Sequence, residues 1–202
     1  MMNQSRIKNI SPLAETKFVG LYDVEYKNKV NEDKHWMVAT RKSKEELEAI
    51  YSGEKEDEID AVVIAALHKS TNKIVMIKQF RVPINNYIYE LPAGLVDNHE
   101  DMEHAVSREL KEETGLDLIS INKINSMDKL YLSPGMTDES VAFVYCTCDG
   151  EVSKEFLEDD EEIETYLLSQ EDAKKIINRN EKIDIKAFLI LQMFANLGHK
   201  LF

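Results

Sequence analysis

A chain of 202 residues, 43% of them hydrophobic, has room for one domain with its own core, with or without a small appendage. Acidic residues outnumber basic ones 38 to 25, for a net charge of -13, which argues against a nucleic-acid surface. An anionic substrate stays possible, because a bound divalent cation reverses the local sign.

From the N-terminus, MMNQSRIKNISPLAETKF lacks the apolar run of a signal peptide, and no later stretch approaches a membrane span. KFVGLYDVEYK (17–27) and KHWMVATR (34–41) read as two strands joined by a polar turn. SKEELEAIY is a short helix with Ser43 as cap and Glu46 three residues on; GEKEDEID is a loop. IDAVVIAALH and KIVMIKQFRV are strands around the turn at Ser70-Thr71-Asn72, and NNYIYELPAG alternates as a strand that stops at Pro92. A helix follows over 101–114, with Ala105, Val106, Leu110 and Thr114 as its inward stripe and Gly115 as its stop. Strands are expected over 119–131, 139–148 and 163–168, and helices in SQEDAKKIINR and DIKAFLILQMFANLG; the last is apolar on most sides and so packs into the core or a partner. Cys146 and Cys148, two apart in a strand, cannot readily bridge each other and read as packing residues of a reduced, cytoplasmic protein. His68, His99, His104 and His199 show no partner pattern and read as surface or packing residues. The order is α+β.

The central helix is crowded with charge. GLVDNHEDMEHAVSRELKEETGL (94–116) holds seven carboxylates, and like charges on adjacent turns repel. Glu109 and Glu113 are four apart on one face, Glu112 adjoins them, and Arg108 is four before Glu112. Three carboxylates on one patch suit a hard cation, Mg²⁺ or Mn²⁺. A solvated acidic face is the alternative, and the helix alone leaves both open.

The spacing goes further. Gly94, five residues, Glu100, seven residues, then Arg108-Glu109-Leu110-Lys111-Glu112-Glu113-Thr114-Gly115-Leu116 matches the Nudix box at every fixed position, so the chain resembles the Nudix hydrolases. That resemblance implies a mixed β-sheet sandwiched between helices and a divalent-metal enzyme that cleaves a nucleoside diphosphate linked to another group. It implies metal on Glu109, Glu112, Glu113 and the carbonyl of Ala93, with Arg108 orienting a glutamate and Gly94 and Gly115 structural. KQFRVPINNYIYELPAG upstream, YLSPGMTDES downstream and the C-terminal EEIETYLLSQEDA and KIDIKAFLILQM are similar to the ADP-sugar pyrophosphatase branch, so the likeness spans about residues 17 to 198.

Carried over residue by residue, the branch implies phosphate binding by Arg81, whose other reading is a surface arginine. Glu90 would line the same site. Trp36 and Arg41 match the branch's base-binding pair, though a lone tryptophan is as readily core. The general base falls in FLEDDEEIE, with Glu161 first and Glu158 and Asp159 next. Residues 1–58 form an N-terminal β extension expected to dimerise and bind the base, and residues 59–202 the Nudix domain. The expected reaction turns ADP-ribose, or a related nucleoside diphosphate sugar, into AMP and ribose 5-phosphate. A GDP-mannose hydrolase and a non-catalytic sensor of nucleotide sugars are the alternatives.

Overall fold

The computed structural model describes residues 6–157, 161–179 and 181–202. The chain divides into two compact units, one comprising the described residues up to Asp60 with Tyr131–Ser140, the other Ala61–Leu130 with Val141–Phe202.

The first unit carries an antiparallel sheet of β1 (Ile7–Glu15), β2 (Gly20–Lys27) and β3 (Asp33–Thr40), in that order. Helix α1 (Lys44–Ser52) begins at Ser43, whose hydroxyl accepts the Glu46 N–H while the Glu46 carboxylate accepts the Ser43 N–H; this reciprocal cap is the one expected from the sequence. Leu47 of α1 packs with Ile10, Tyr22 and Val24 to form a small core. The segment 131–140 joins this unit through the Ala39 N–H on the Met136 carbonyl at 3.0 Å. Lys42, nearly buried, binds Asp60 at 3.0 Å and Asp138 at 3.1 Å. Burial works against the Lys42 charge, but the hydrogen bonds to Asp60 and Asp138 outweigh it and raise its pKa. β1 is absent from the pattern-based reading for a physical reason: it is an edge strand with Pro12 inside it, and Ile10 is its one fully buried side chain.

The second unit is built on a mixed sheet. β4 (Ala61–His68) pairs in parallel along its whole length with β10 (Ser140–Asp149), while β11 (Ile163–Leu168) runs antiparallel to β5 (Lys73–Arg81). β8 (Asp117–Ile121) and β9 (Met127–Tyr131) both pair with β10. They are two strands where the pattern suggested one over 119–131, because Asn122 turns the chain: its side-chain oxygen accepts the N–H groups of Ile124 and Asn125. All of β4 is buried, as expected of a central strand covered on both faces. Ala61, Val63, Ala65 and Leu67 share a core with α3 (Gln170–Asn178) and α4 (Ile185–Leu197), through Ala173, Ile176, Ile190, Leu191 and Phe194. The intervening β4 residues face the other way by strand alternation, toward α2 (Met102–Thr114), which brings Ala105, Val106 and Leu110 inward. Cys146 and Cys148 are unbridged and buried in β10; burial pushes the Cys148 thiol up to about 12. His68 is buried but has partners after all, Thr71 Oγ1 at 2.8 Å and the Gly150 carbonyl at 3.0 Å.

One irregularity positions everything that follows. β4 and β5 are paired only at the hairpin, Leu67 with Ile74 and His68 with Lys73. Farther from the turn they part; β6 (Asn86–Glu90) takes the freed edge of β5 and β7 (Ala93–Leu95) the freed edge of β4. Residues 86–95 thus run through the fork of a V, and the fork opens at the box. Among the described residues no helix is long and apolar enough to cross a membrane.

Candidate active site

Helix α2 is set by local chemistry at both ends. The Asp101 side chain caps it by accepting the His104 N–H at 3.0 Å. Gly115 ends it at φ 77°, with its N–H on the Lys111 carbonyl; a Cβ there would also run into the backbone of Ser153. The Thr165 hydroxyl of β11 donates to the Glu113 carbonyl at 3.0 Å and ties the last turn to the sheet. Next to the apolar stripe, Glu109 and Glu113 point inward and are 8% and 4% exposed, while Glu112 is on the open side.

Arg108 organises these carboxylates. Its Nε and Nη2 donate to the two oxygens of Glu100 at 3.0 and 2.8 Å, a fork-to-fork pair. Nη1 donates to Glu109 at 2.7 Å and to Glu112 at 3.0 Å, and Nη2 also reaches the Leu95 carbonyl at 2.9 Å. Glu100, a fixed position of the box, is therefore the brace of Arg108, and in turn it accepts the Asp97 N–H. Its pairing with Arg108 lowers the Glu100 pKa. The eight-residue separation of Glu100 and Arg108 was the available signal, but it crosses a helix start that no single periodicity describes.

Across from α2, β7 brings its backbone against the helix. The Ala93 N–H donates to Glu113 at 3.0 Å, and the Glu109 carboxylate fills the space beside Gly94 where a side chain would be. Burial raises the pKa of Glu113 well above its ordinary value; the Ala93 N–H opposes this, and Glu109 and Glu161 reinforce it. Burial likewise raises Glu109, against the pull of Arg108 and with repulsion from Glu112 and Glu161. Among the described residues no three carboxylate, histidine or cysteine side chains already converge on one cation position, since Arg108 draws Glu109 and Glu112 while Glu113 turns to Ala93.

These residues line a cleft of about 420 Å³ with Gln79 and Arg81 of β5, Ala93, Gly94 and Leu95 of β7, and Glu161 just before β11. Arg81 is also paired with Glu90 of β6 at 2.8 Å. The cleft thus gathers Arg81, Ala93, Gly94, Arg108, Glu109, Glu112, Glu113 and Glu161 from four separate parts of the second unit; Gly115 serves the helix end, and Glu90 acts on Arg81 from outside. Trp36 and Arg41 belong to the first unit: the Trp36 indole N–H donates to the Gly135 carbonyl at 3.1 Å, and Arg41 meets Glu139 at 3.4 Å. Glu158 and Asp159, next in line as base, lie outside the described residues. Gln79, two residues before Arg81, entered the sequence reading only as part of KQFR, with no role of its own.

A pyrophosphate-sized anion with a cation could be held here, between Arg81 on the strand and oxygen ligands on the helix. The Nudix domain family model matches residues 57–187. An ADP-ribose pyrophosphatase of Bacillus subtilis (strain 168) is 36% identical over 134 residues, 65% of this chain and 70% of that one. An ADP-ribose pyrophosphatase of Saccharomyces cerevisiae is 27% identical over 198 residues, 92% of this chain and 80% of that one. In fold, the chain is similar to the crystal structure of an ADP compounds hydrolase, with a TM-score of 0.68 over 96% of this chain and 95% of the other at 16% identity. Nudix hydrolases in general use divalent metal. The family match across more than half of the chain, read with the braced glutamates of α2, makes this protein a member of the Nudix hydrolase family.

Proposed function

We propose that this Nudix hydrolase splits the pyrophosphate bond of ADP-ribose, or of a closely related nucleoside diphosphate sugar, into AMP and ribose 5-phosphate, with Mg²⁺ or Mn²⁺. The observation that carries the reading is the meeting in one cleft of Arg81 with the buried Glu109 and Glu113, beside Glu112 and Glu161. The donor set fits a hard divalent cation: it is all oxygen, and the two buried carboxylates have raised pKa values because burial leaves their charge undercompensated. Glu109, Glu112, Glu113 and the Ala93 carbonyl would hold it. Such an ion, when bound, neutralises diphosphate charge and lowers the pKa of a water.

The chain's own groups do the rest. Arg81 offers its fork to a phosphate while Glu90 holds the guanidinium in place. Arg108, braced by Glu100, fixes the rotamers of Glu109 and Glu112. Glu161 takes the proton from the attacking water; the water oxygen bonds to one phosphorus, and the bridging oxygen leaves with the other phosphate. Positioning and charge account for most of the rate.

Trp36 and Arg41 serve the adenine and phosphate side. Trp36 is 52% exposed although its indole N–H is satisfied by Gly135, which supports a stacking role for the indole. The first unit also exposes Leu13, Phe18 and Met37, which supports a homodimer through residues 1–58 next to a catalytic domain over 59–202. The unbridged Cys146 and Cys148 support a cytoplasmic site of action.

A panel of nucleotide sugars with Mg²⁺ or Mn²⁺ and phosphate-coupled detection tests the reading. ADP-ribose should give the highest kcat/KM, and Glu113→Gln should lower kcat about a hundredfold. A variant as fast as the parent removes Glu113 from the metal set, and a higher kcat/KM for GDP-mannose moves the substrate to that class.

A further inference from the structure

Lys42, two residues past the end of β3, faces three carboxylates: Asp60 at 3.0 Å, Asp138 at 3.1 Å and Asp57 at 3.5 Å. Its side chain is 12% exposed, so little solvent screens these pairs. Asp60 is fixed in turn by Ser140: its Oδ2 accepts the Ser140 N–H at 2.8 Å, and its own N–H donates to the Ser140 carbonyl at 2.9 Å.

The rest of 131–140 runs beside β3, pairing in parallel at Ala39 and Thr137. The Trp36 indole N–H donates to the Gly135 carbonyl, and Arg41 pairs with Glu139, the neighbour of Asp138. One segment thus holds both Trp36 and Arg41. The Arg41–Glu139 pair, at 3.4 Å, is longer and more exposed than the pair of Lys42 with Asp138. A buried lysine among carboxylates adds little net stability, and the best-attested use of such groups is to fix one arrangement over others. Arg41 also lines a recess of about 80 Å³ with Asp60 and Asp138, so without Lys42 those carboxylates would draw the arginine in.

We propose that Lys42 is a positioning residue for substrate recognition: by clasping Asp138 and Asp60 it holds the 131–140 segment, which through Gly135 and Glu139 sets the indole of Trp36 and the guanidinium of Arg41. The proposal rests on the reading above that these two residues serve the adenine and phosphate side. Lys42 needs no contact with substrate for this role.

Trp36 is the only tryptophan of the chain, so its fluorescence reports this arrangement directly. Two variants break the clasp: Lys42→Met, and the milder Asp138→Asn, which leaves Lys42 with Asp57 and Asp60 and carries the test should Lys42→Met not fold. Both should raise KM for ADP-ribose, Lys42→Met about tenfold as for loss of a stacked base, with kcat within about twofold. In the ligand-free protein the nanosecond motion of the indole, read by time-resolved anisotropy, should increase in both. Lys42→Arg, which keeps the charge, should hold KM within about threefold of the parent. A fall in kcat at unchanged KM, or a lower Tm with KM and indole motion unchanged, would make Lys42 a part of the fold alone and overturn the proposal. If Trp36→Ala and Arg41→Ala leave KM at the parent value, or the parent does not hydrolyse ADP-ribose, the adenine-side reading fails by itself. The indole motion then decides Lys42, and no increase in the variants overturns it.

Discussion

The carboxylate of Glu109 rests on the α-carbon of Gly94, in the volume that any side chain at residue 94 would enter. Because Arg108 holds that carboxylate at 2.7 Å, it cannot swing aside freely. Gly94→Ala should therefore displace a proposed metal ligand rather than unfold the chain. We expect kcat to fall about a hundredfold, the order seen when a reacting group is misplaced by about 1 Å, with the circular dichroism spectrum unchanged. Wild-type kcat in Gly94→Ala would show that Glu109 has room to move.

Glu100 acts at one remove, through Arg108. Glu100→Gln keeps the size but loses the charge and half of the fork-to-fork match. The Mg²⁺ concentration for half-maximal rate should rise about tenfold, as for other groups that orient metal ligands, with a smaller change in kcat at saturating metal. An unchanged metal titration would mean that Arg108 is held well enough by Leu95, Glu109 and Glu112 alone.

The buried Glu113 makes stability depend on pH in a direction opposite to an ordinary salt-bridged carboxylate. Its pKa in the folded protein lies well above 4.5, mainly through burial. The folded state therefore favours the neutral acid: this contribution is complete below the unfolded value and is lost as pH rises through the raised folded one. Glu113→Gln cannot ionise and escapes the loss. In EDTA, the Tm of the variant minus that of the parent should grow as pH rises from about 4.5, by about 3 °C for each kcal/mol lost at this chain length. Mg²⁺ should narrow the gap. A difference that is flat across pH would show that Glu113 ionises normally in place.

Trp36→Ala tests the adenine side. Loss of one stacked base should raise KM for ADP-ribose about tenfold while leaving kcat within about twofold. No change in KM would place the indole in support of the 131–140 segment, through Gly135, and nowhere else.

The parts of this protein that were legible in advance are those set by near neighbours. Helix α2 announced itself through the stripe of Ala105, Val106, Leu110 and Thr114, and through Gly115, all within one turn or two of what they affect. The capping box of Ser43 and Glu46 is equally local. Relationships between distant segments were harder. Trp36 and Gly135 are 99 residues apart, so nothing in the pattern tied 131–140 to the first unit. The edge strand β1 hides because one buried residue makes no alternation, and the Asn122 turn hides inside a run of strand-forming residues. Glu100 needed the helix start before its surroundings gave it meaning.

The guanidinium of Arg108 already serves Glu109 and Glu112 as a resident counter-ion, donated by the chain itself. Any divalent ion that takes those oxygens enters by exchange, displacing one fixed positive charge from two carboxylates. The affinity such an ion displays is then a difference between two cations, and Glu100 sets the strength of the one that stays behind. Tightening the hold of Glu100 on Arg108 would loosen that of Arg108 on the other two, so the metal affinity of the proposed site would change without altering any of its proposed ligands.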